Sequence, residues 1–276
     1  MDTVSQAPDA IRRPAVAGYF YPAQAEVLRA EIDALAMPAG SRMAARAVIV
    51  PHGSLRQCGR ICAALARVQI PRRCIIVGPS HTGSAVPWSL LDRGAYRTPL
   101  GDVPVDARCA DAVRARCPFL ACDPTSQAGE HAVEVLLPWL QRLGPPELAI
   151  VPIIIGAAQQ CQLGELAQAL AQVVRMQEEP VLLIASSDLS HYQSHSDAET
   201  QDRMLLTAIQ TLEGARLLEC LRASSIVMCG AEAVACVLDA ASLLGATQAT
   251  VAAYGTSAAA GGDPHSVTGY AGVIIQ

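Results

Sequence analysis

The chain reads as an α/β protein, a three-layer sandwich around a mainly parallel sheet, and three observations carry that reading. Short, wholly apolar runs rich in β-branched residues recur along it: Ala47-Val48-Ile49-Val50, Cys74-Ile75-Ile76-Val77 and Val181-Leu182-Leu183-Ile184-Ala185. Buried parallel strands have this composition because both faces of such a sheet are covered. Stretches of helical period separate the runs, the βα alternation of a parallel sheet. Each run leads within a few residues to a histidine, His52, His81 or His191. Open α/β sheets take their ligands just beyond the carboxyl ends of their strands.

Composition bounds the answer. Of 276 residues, 51% are hydrophobic and 16% charged, enough apolar material for a sizeable core. No Ser/Gly/Pro linker or charge block divides the chain, so residues 14–276 are predicted to form one domain behind a flexible segment, 1–13. A net charge of −5 gives no reason to propose nucleic acid or an anionic membrane as partner. Met1-Asp2-Thr3-Val4-Ser5-Gln6 lacks a basic stretch followed by an apolar one. The longest apolar run, Leu148 to Ala158, falls well short of the roughly 20 residues that cross a bilayer. A cytoplasmic location is the expectation, with the ten cysteines kept as thiols. None forms a Cys-x-x-Cys pair, which removes zinc-ribbon and thioredoxin-like readings, and Cys62 and Cys236 read as small core hydrophobes.

Taken in order, Pro22 to Glu26 opens a helical pattern with Val27, Leu28, Ile32 and Leu35 on one face, ending before Pro38. A strand at about 46–51, a helix at about 57–68 and a strand at about 73–78 make a βαβ unit of ordinary length. Residues 84–104, with Gly94, Pro99-Leu100-Gly101 and Pro104, predict a hairpin or excursion, and 105–117 a helix. The amphipathic stretch from Glu130 to Leu143 contains Pro138, which must kink it or split it. A strand at about 148–155, a helix at 162–176 and a strand at 180–186 follow. Ser196 with Glu199 reads as a capping box starting a helix to about 212, and a shorter helix spans about 214–222. A long apolar helix at 231–244 is closed by Gly245, and two last strands, about 248–255 and 269–275, add antiparallel pairing. Disorder is expected at most in 1–13 and in the Ala/Gly-rich stretch 258–262.

The chemistry-bearing residues cluster at the predicted strand ends. His52 and His81 follow sequential strands of one βαβ unit, and adjacent strands lie about 4.8 Å apart, so the two imidazoles can share one ion. Asp188 and His191 follow the third run; a helical turn there would face them the same way. His191 is then a ligand or a general acid/base, with Asp188 orienting it, joining a metal shell or merely capping a helix. His195 lies four residues further on, but no Glu stands between the histidines, so the zinc-protease pattern fails. Cys229 precedes Gly230 and the start of a predicted helix, whose positive end would favour a thiolate able to ligate iron, copper or zinc. From spacing alone a buried loop thiol is the simpler reading. Glu130 and His131 open the amphipathic stretch and offer a group that orients a metal ligand or transfers a proton, or a plain cap by Glu130.

Together these motifs resemble a known family. Ala17-Gly18-Tyr19-Phe20-Tyr21-Pro22, Pro51-His52, Gly78-Pro79-Ser80-His81 and Glu130-His131-Ala132-Val133-Glu134 occur in order. Ser186-Ser187-Asp188-Leu189-Ser190-His191-Tyr192, Cys229-Gly230 and Ser266-Val267-Thr268-Gly269-Tyr270-Ala271 complete the set. The chain is similar to the Memo family, the AmmeMemoRadiSam system protein B of bacteria and archaea. The resemblance implies a fold like that of the class III, LigB-type extradiol dioxygenases. It implies a metal set of His52, His81 and Cys229, with Asp188 and His191 lining the same cleft; these two and His131 are the candidate catalytic residues. It also implies iron as cofactor, with copper or zinc as alternatives, and radical-SAM system proteins as candidate partners. One segment departs from the family pattern: after Pro-His, Ala-Gly-Tyr and a closing Tyr-Ser-Gly are usual, but here Gly53-Ser54-Leu55-Arg56-Gln57-Cys58-Gly59 stands. Phenols are lost from the pocket and Arg56 brings a cation near it.

Three functions follow as expectations. The first is an iron-dependent, dioxygenase-like redox enzyme acting on a small molecule, although a thiolate in place of the usual carboxylate argues against ordinary catechol cleavage. The second is a non-enzymatic binding or adaptor module that reuses the cleft for a peptide or a partner protein. The third is a zinc hydrolase-like enzyme in which His191 or Asp188 deprotonates a bound water.

Overall fold

The apolar runs become strands and the segments of helical period become helices in a computed structural model of the chain, which describes residues 11–36, 40–83, 86–156, 160–224 and 226–276. The first elements are β1 (Ile11–Arg12), α1 (Ala25–Leu35), β2 (Ala47–Val50), α2 (Leu55–Cys62) and β3 (Arg73–Pro79). Next come β4 (Trp88–Leu90), β5 (Ala95–Thr98), β6 (Gly101–Pro104), α3 (Ala107–Arg114), β7 (Ala121–Cys122) and α4 (Pro124–Ala128). Then follow α5 (Leu137–Leu143), β8 (Ala149–Ile155), α6 (Gln160–Arg175), β9 (Val181–Ser186) and β10 (His191–Gln193). The chain ends with α7 (His195–Ile209), α8 (Gly214–Ser224), α9 (Ala231–Leu243), β11 (Ala249–Thr256) and β12 (Val267–Ile275).

The main sheet runs β10-β12-β2-β9-β3-β8-β4-β7, with β11 also paired to β12. Its centre, β2-β9-β3-β8, is parallel, while β12 joins β2, and β4 joins β8, in antiparallel sense. Helices cover both faces: α9 packs on β9, β3 and β2 with α6 and α8 against it, and α2 packs on β11 and β12. This is the expected three-layer sandwich. Ile49, Ile75, Ile76, Leu183 and Ile184 are essentially fully buried, as strands covered on both faces require. No described helix is long and apolar enough to cross a membrane.

Several local expectations are corrected. β2 and β3, consecutive in the chain, are not neighbours; β9 lies between them and pairs with both. Residues 1–10 lie outside the described residues, but 11–12 pair with β5 and Arg12 is buried, so the chain is anchored ahead of residue 14. Residues 258–260, expected at most as a loose stretch, belong to a 3₁₀ turn, 257–260. Pro138 splits its amphipathic stretch, sitting in the first turn of α5 after a 3₁₀ turn at 134–136, where its missing N–H costs nothing. The cap of α7 is Ser194, whose hydroxyl accepts from the Asp197 N–H, rather than Ser196. Val27 is exposed, leaving Leu28 and Ile32 as the buried stripe of α1. The excursion at 84–104 supplies the hairpin β5–β6 and strand β4, which pairs with β8 on one side and β7 on the other; residues 84–85 are outside the described set.

One buried ion pair ties the N-terminal segment to this body. The Arg12 guanidinium bonds the Glu134 carboxylate and donates to the carbonyls of Glu130 at 2.5 Å and Gln127 at 3.1 Å. Glu134 also accepts from the N–H groups of Ala15 (2.7 Å) and Val16 (3.0 Å) and from the Tyr21 hydroxyl (2.6 Å). Removing one member of such a pair strands the other charge in the core. Glu134→Ala should therefore lower unfolding free energy by about 3–5 kcal/mol, read from urea denaturation, whereas a change below about 1 kcal/mol would show the pair to be dispensable.

Candidate metal centre

The carboxyl ends of β2, β3 and β9 bring the functional side chains to one place. Because β9 separates β2 from β3, His52 and His81 do not stand on neighbouring strands. They meet over the end of β9, with ring centroids 4.9 Å apart. His131, from the turn after α4, joins them, stacked on His81 at 4.3 Å and edge-on to His52 at 5.6 Å. One ligand atom from each of His52, His81 and His131 lies within 4.8 Å of the others, a spacing that one metal ion can bridge after small adjustment. Phe20, in the N-terminal segment held by Glu134, packs its edge on His131 at 4.8 Å.

Hydrogen bonds fix which nitrogen of each ring is free. The Ser186 hydroxyl donates to the Ala132 carbonyl at 2.6 Å, so its oxygen accepts from His52 Nδ1 at 3.0 Å. His52 Nε2 is left as a buried lone pair with no hydrogen-bond partner. Glu130 does the same for His81: its carboxylate takes the His81 N–H at 2.5 Å and Nδ1 at 2.8 Å, turning Nε2 outward. That Nε2 meets the Cys229 sulfur at 2.8 Å. A hydrogen-bond acceptor behind the imidazole, Ser186 Oγ for His52 and the Glu130 carboxylate for His81, is the arrangement that orients histidines as metal ligands.

Cys229 reaches the cluster through His81 and is not one of the three mutually close donors. Gly230 follows it with φ +94, and a Cβ there would stand 2.6 Å from the Ser186 carbonyl oxygen. Only glycine lets the start of α9 approach the end of β9 so closely. Ser187 Oγ adds a bond to the Cys229 carbonyl at 2.6 Å.

Asp188 and His191 sit on an irregular link and not on the helical turn that would align them. Asp188 Oδ1 accepts the His52 N–H at 3.0 Å, so this carboxylate anchors the His52 turn. His191 begins β10, its Nδ1 3.3 Å from Thr268 Oγ1 and its Nε2 buried without a partner. Asp202, fully buried on α7, accepts from the Ser190 N–H at 2.9 Å and from the Tyr254 hydroxyl at 2.9 Å. Ser186 and Asp202 are the positioning residues that sequence reasoning missed; the serine pair closing β9 was the available signal for the first. Arg56 is exposed on α2.

Burial and repulsion set the charge states. Burial, reinforced by His81, pushes His52 down to about 3, and burial pushes His131 down to about 4. Burial also works against the His81 cation, but its bonds to Cys229 and Glu130 outweigh it and hold His81 at about 10. Glu130 is held down at about 2, its own burial outweighed by the His81 bonds. Burial raises Asp188 to about 6 and lowers His191. At neutral pH the centre thus offers two neutral imidazoles and a third, His81, held protonated between the Glu130 carboxylate and the Cys229 sulfur.

Comparison with known proteins agrees on one family. A sequence model described as Memo-like protein matches residues 12–274. The chain is 31% identical to a MEMO1 family protein of Methanopyrus kandleri, over 96% of this chain and 99% of that protein. It is 32% identical to one from Aquifex aeolicus, with 96% and 99% coverage, and 33% identical to one from Methanococcoides burtonii, with 96% and 100%.

Two outcomes follow from the geometry. Glu130→Ala frees the His81 ring and should weaken binding of a divalent metal by about 10–100-fold in a chelator competition, with little loss of fold by circular dichroism. A metal taking His81 Nε2 must displace the proton that Glu130 and Cys229 help this ring to keep up to about pH 10. Affinity should therefore rise about tenfold per pH unit between roughly pH 6 and 9. A pH-independent affinity would show that His81 does not ligate.

Proposed function

The chain belongs to the Memo-like family, and from that premise we propose that it is a metal-binding protein with a redox site of dioxygenase type, holding iron and acting on a small molecule. The observation that carries this reading is His52 Nε2, buried and without a hydrogen-bond partner, in a cluster with His131 and with His81, whose ring Glu130 orients from behind. An unpaired polar atom in a core is costly unless something binds it. His52, His81 and either His131 or Cys229 would hold the ion, and imidazole with thiolate suits iron or copper. Iron supplies one-electron chemistry and open coordination positions for substrate and dioxygen.

The chain's own groups divide the remaining work. His191, kept neutral by burial and with Nε2 free, takes up a substrate proton as general base. Asp188 holds the His52 turn and, with its carboxyl raised to about 6, can carry a proton near neutral pH. Phe20 covers one side of His131 and limits water on that face.

One observation favours a second reading. Three imidazoles with a nearby carboxyl are also a zinc donor set, in which Asp188 or His191 would deprotonate a bound water for hydrolysis. Metal analysis of protein purified anaerobically without added metal separates the two. Near-stoichiometric iron, absent from His52→Ala, supports the redox reading; a thiolate-to-iron absorption band lost in Cys229→Ser, but kept in His131→Ala, would place the sulfur on the metal. Stoichiometric zinc, with ester hydrolysis abolished by chelation and restored by zinc, would replace iron by the second reading. Absence of any metal bound more tightly than about micromolar would overturn both.

A further inference from the structure

Outside the histidine cluster, the molecule holds a second set of metal-ligating atoms close together. Cys58 and Cys62 occupy positions i and i+4 of α2, the spacing that stacks two side chains on one helix face. Their sulfurs are 3.7 Å apart, both residues are free thiols, and both are buried. Each has a backbone carbonyl close by: Ser54 at 3.4 Å from the Cys58 sulfur and Pro51 at 3.5 Å from the Cys62 sulfur. Both thiols line a small internal cavity with about 10 Å³ of space for the centre of a water-sized body. Its other walls are largely carbon, including Phe20, Leu28, Val135 and Trp139. A water there would find few partners, so the hole suits something that bonds to sulfur.

We propose that Cys58 and Cys62 form a second metal site, in which the two sulfurs hold one soft monovalent cation of the Cu(I) class under the turn that carries His52. The donor set selects the ion. Zinc wants four nitrogen, sulfur or oxygen ligands, and calcium or magnesium six or more oxygens, which this apolar wall cannot supply. Thiolates favour Cu(I), and that ion is content with two or three ligands and no water. The sulfurs stand 3.7 Å apart, a span that one ion bonded to both closes at the bent angle of a three-coordinate site. Binding is a ligand exchange: the thiols release their protons as the ion leaves its carrier, and no electron moves. The site goes beyond the function proposed for the histidine cluster and shares no donor atom with it.

Anaerobic titration of the full chain with Cu(I), against a chromophoric chelator, tests this. The Cys229→Ser variant serves as background, so that the histidine cluster offers nitrogen and hydroxyl oxygen but no sulfur. X-ray absorption of its copper should show two sulfur neighbours. Adding Cys58→Ala and Cys62→Ala should abolish that sulfur shell and reduce uptake by one equivalent, with circular dichroism unchanged. A sulfur-free copper environment in the Cys229→Ser protein overturns the site, and that measurement leaves the thiol pair intact and does not depend on how the double variant folds. A sulfur shell that survives loss of both cysteines, or a Cys58–Cys62 disulfide in place of bound copper, overturns it too. Iron or zinc retained by the histidines in the Cys58/Cys62 variant reports separately on the first centre.

Discussion

The short segment from Glu130 to Glu134 is the constraint on which the centre depends, because it holds both strand-end histidines at once. The Glu130 carboxylate grips His81 by its backbone and its ring, and accepts the Ala132 N–H at 2.8 Å. The carbonyl of Ala132 then receives the Ser186 hydroxyl, whose oxygen fixes His52. Two residues on, Glu134 collects Arg12 and the backbone of residues 15 and 16, which brings Phe20 against His131. A turn five residues long thus connects three strands and the N-terminal segment through side-chain bonds in a nearly dry interior. Bonds of this kind gain strength from the low local dielectric, and leaving any one of them half made is expensive. Preorganisation of the ligand lone pairs is therefore built into the folded state and does not wait for an ion.

Much of this was legible in the sequence, and the illegible remainder has a common cause. Continuous Val/Ile/Leu runs gave the central strands, since a strand buried on both faces leaves no polar position to confuse the pattern. Pro138 announced the break before α5 because its chemistry is local. His52, His81 and the Asp188–His191 pair were visible as polar residues just past such runs. Strand order was not visible: the insertion of β9 between β2 and β3 is a long-range pairing that no window of sequence encodes. For the same reason His131 looked like an accessory group, though its ring stacks on His81, and Asp202 gave no sign that it would tether Ser190 from a distant helix. Arg56, which the departure from the family pattern put near the pocket, faces solvent because the buried stripe of α2 is taken by Leu55, Cys58 and Cys62.

The link between β9 and β10 shows how tightly that long-range order is enforced. Leu189 donates to the Gly269 carbonyl and Gly269 donates back to the Ser190 carbonyl, both at 2.8 Å, so the link runs along β12 without forming a helix. Asp202 fills the space where a residue-269 side chain would be: a Cβ there would stand 1.9 Å from its carboxylate. Glycine at 269 and a buried acid at 202 are therefore one structural decision, and together they hold the backbone of Leu189 and Ser190 just ahead of His191.

The electrostatics of the cluster follow from the same packing. Three imidazoles within a few ångströms cannot all be protonated in a buried site, and the structure resolves the conflict unequally. His52 and His131 remain neutral because burial and the neighbouring His81 outweigh the pull of Glu130, whose carboxylate lies 3.5 Å from His131 Nδ1. His81, with Glu130 behind it and Cys229 in front, keeps the one proton the cluster can hold. A cation entering the site replaces that proton and meets the same negative surroundings, the carboxylate and the sulfur, that stabilised it. The hydrogen-bonded pair His81–Cys229 and a metal-bound pair are thus two occupants of a single electrostatic well, which is why a cysteine outside the tightest three-donor set still belongs to the centre.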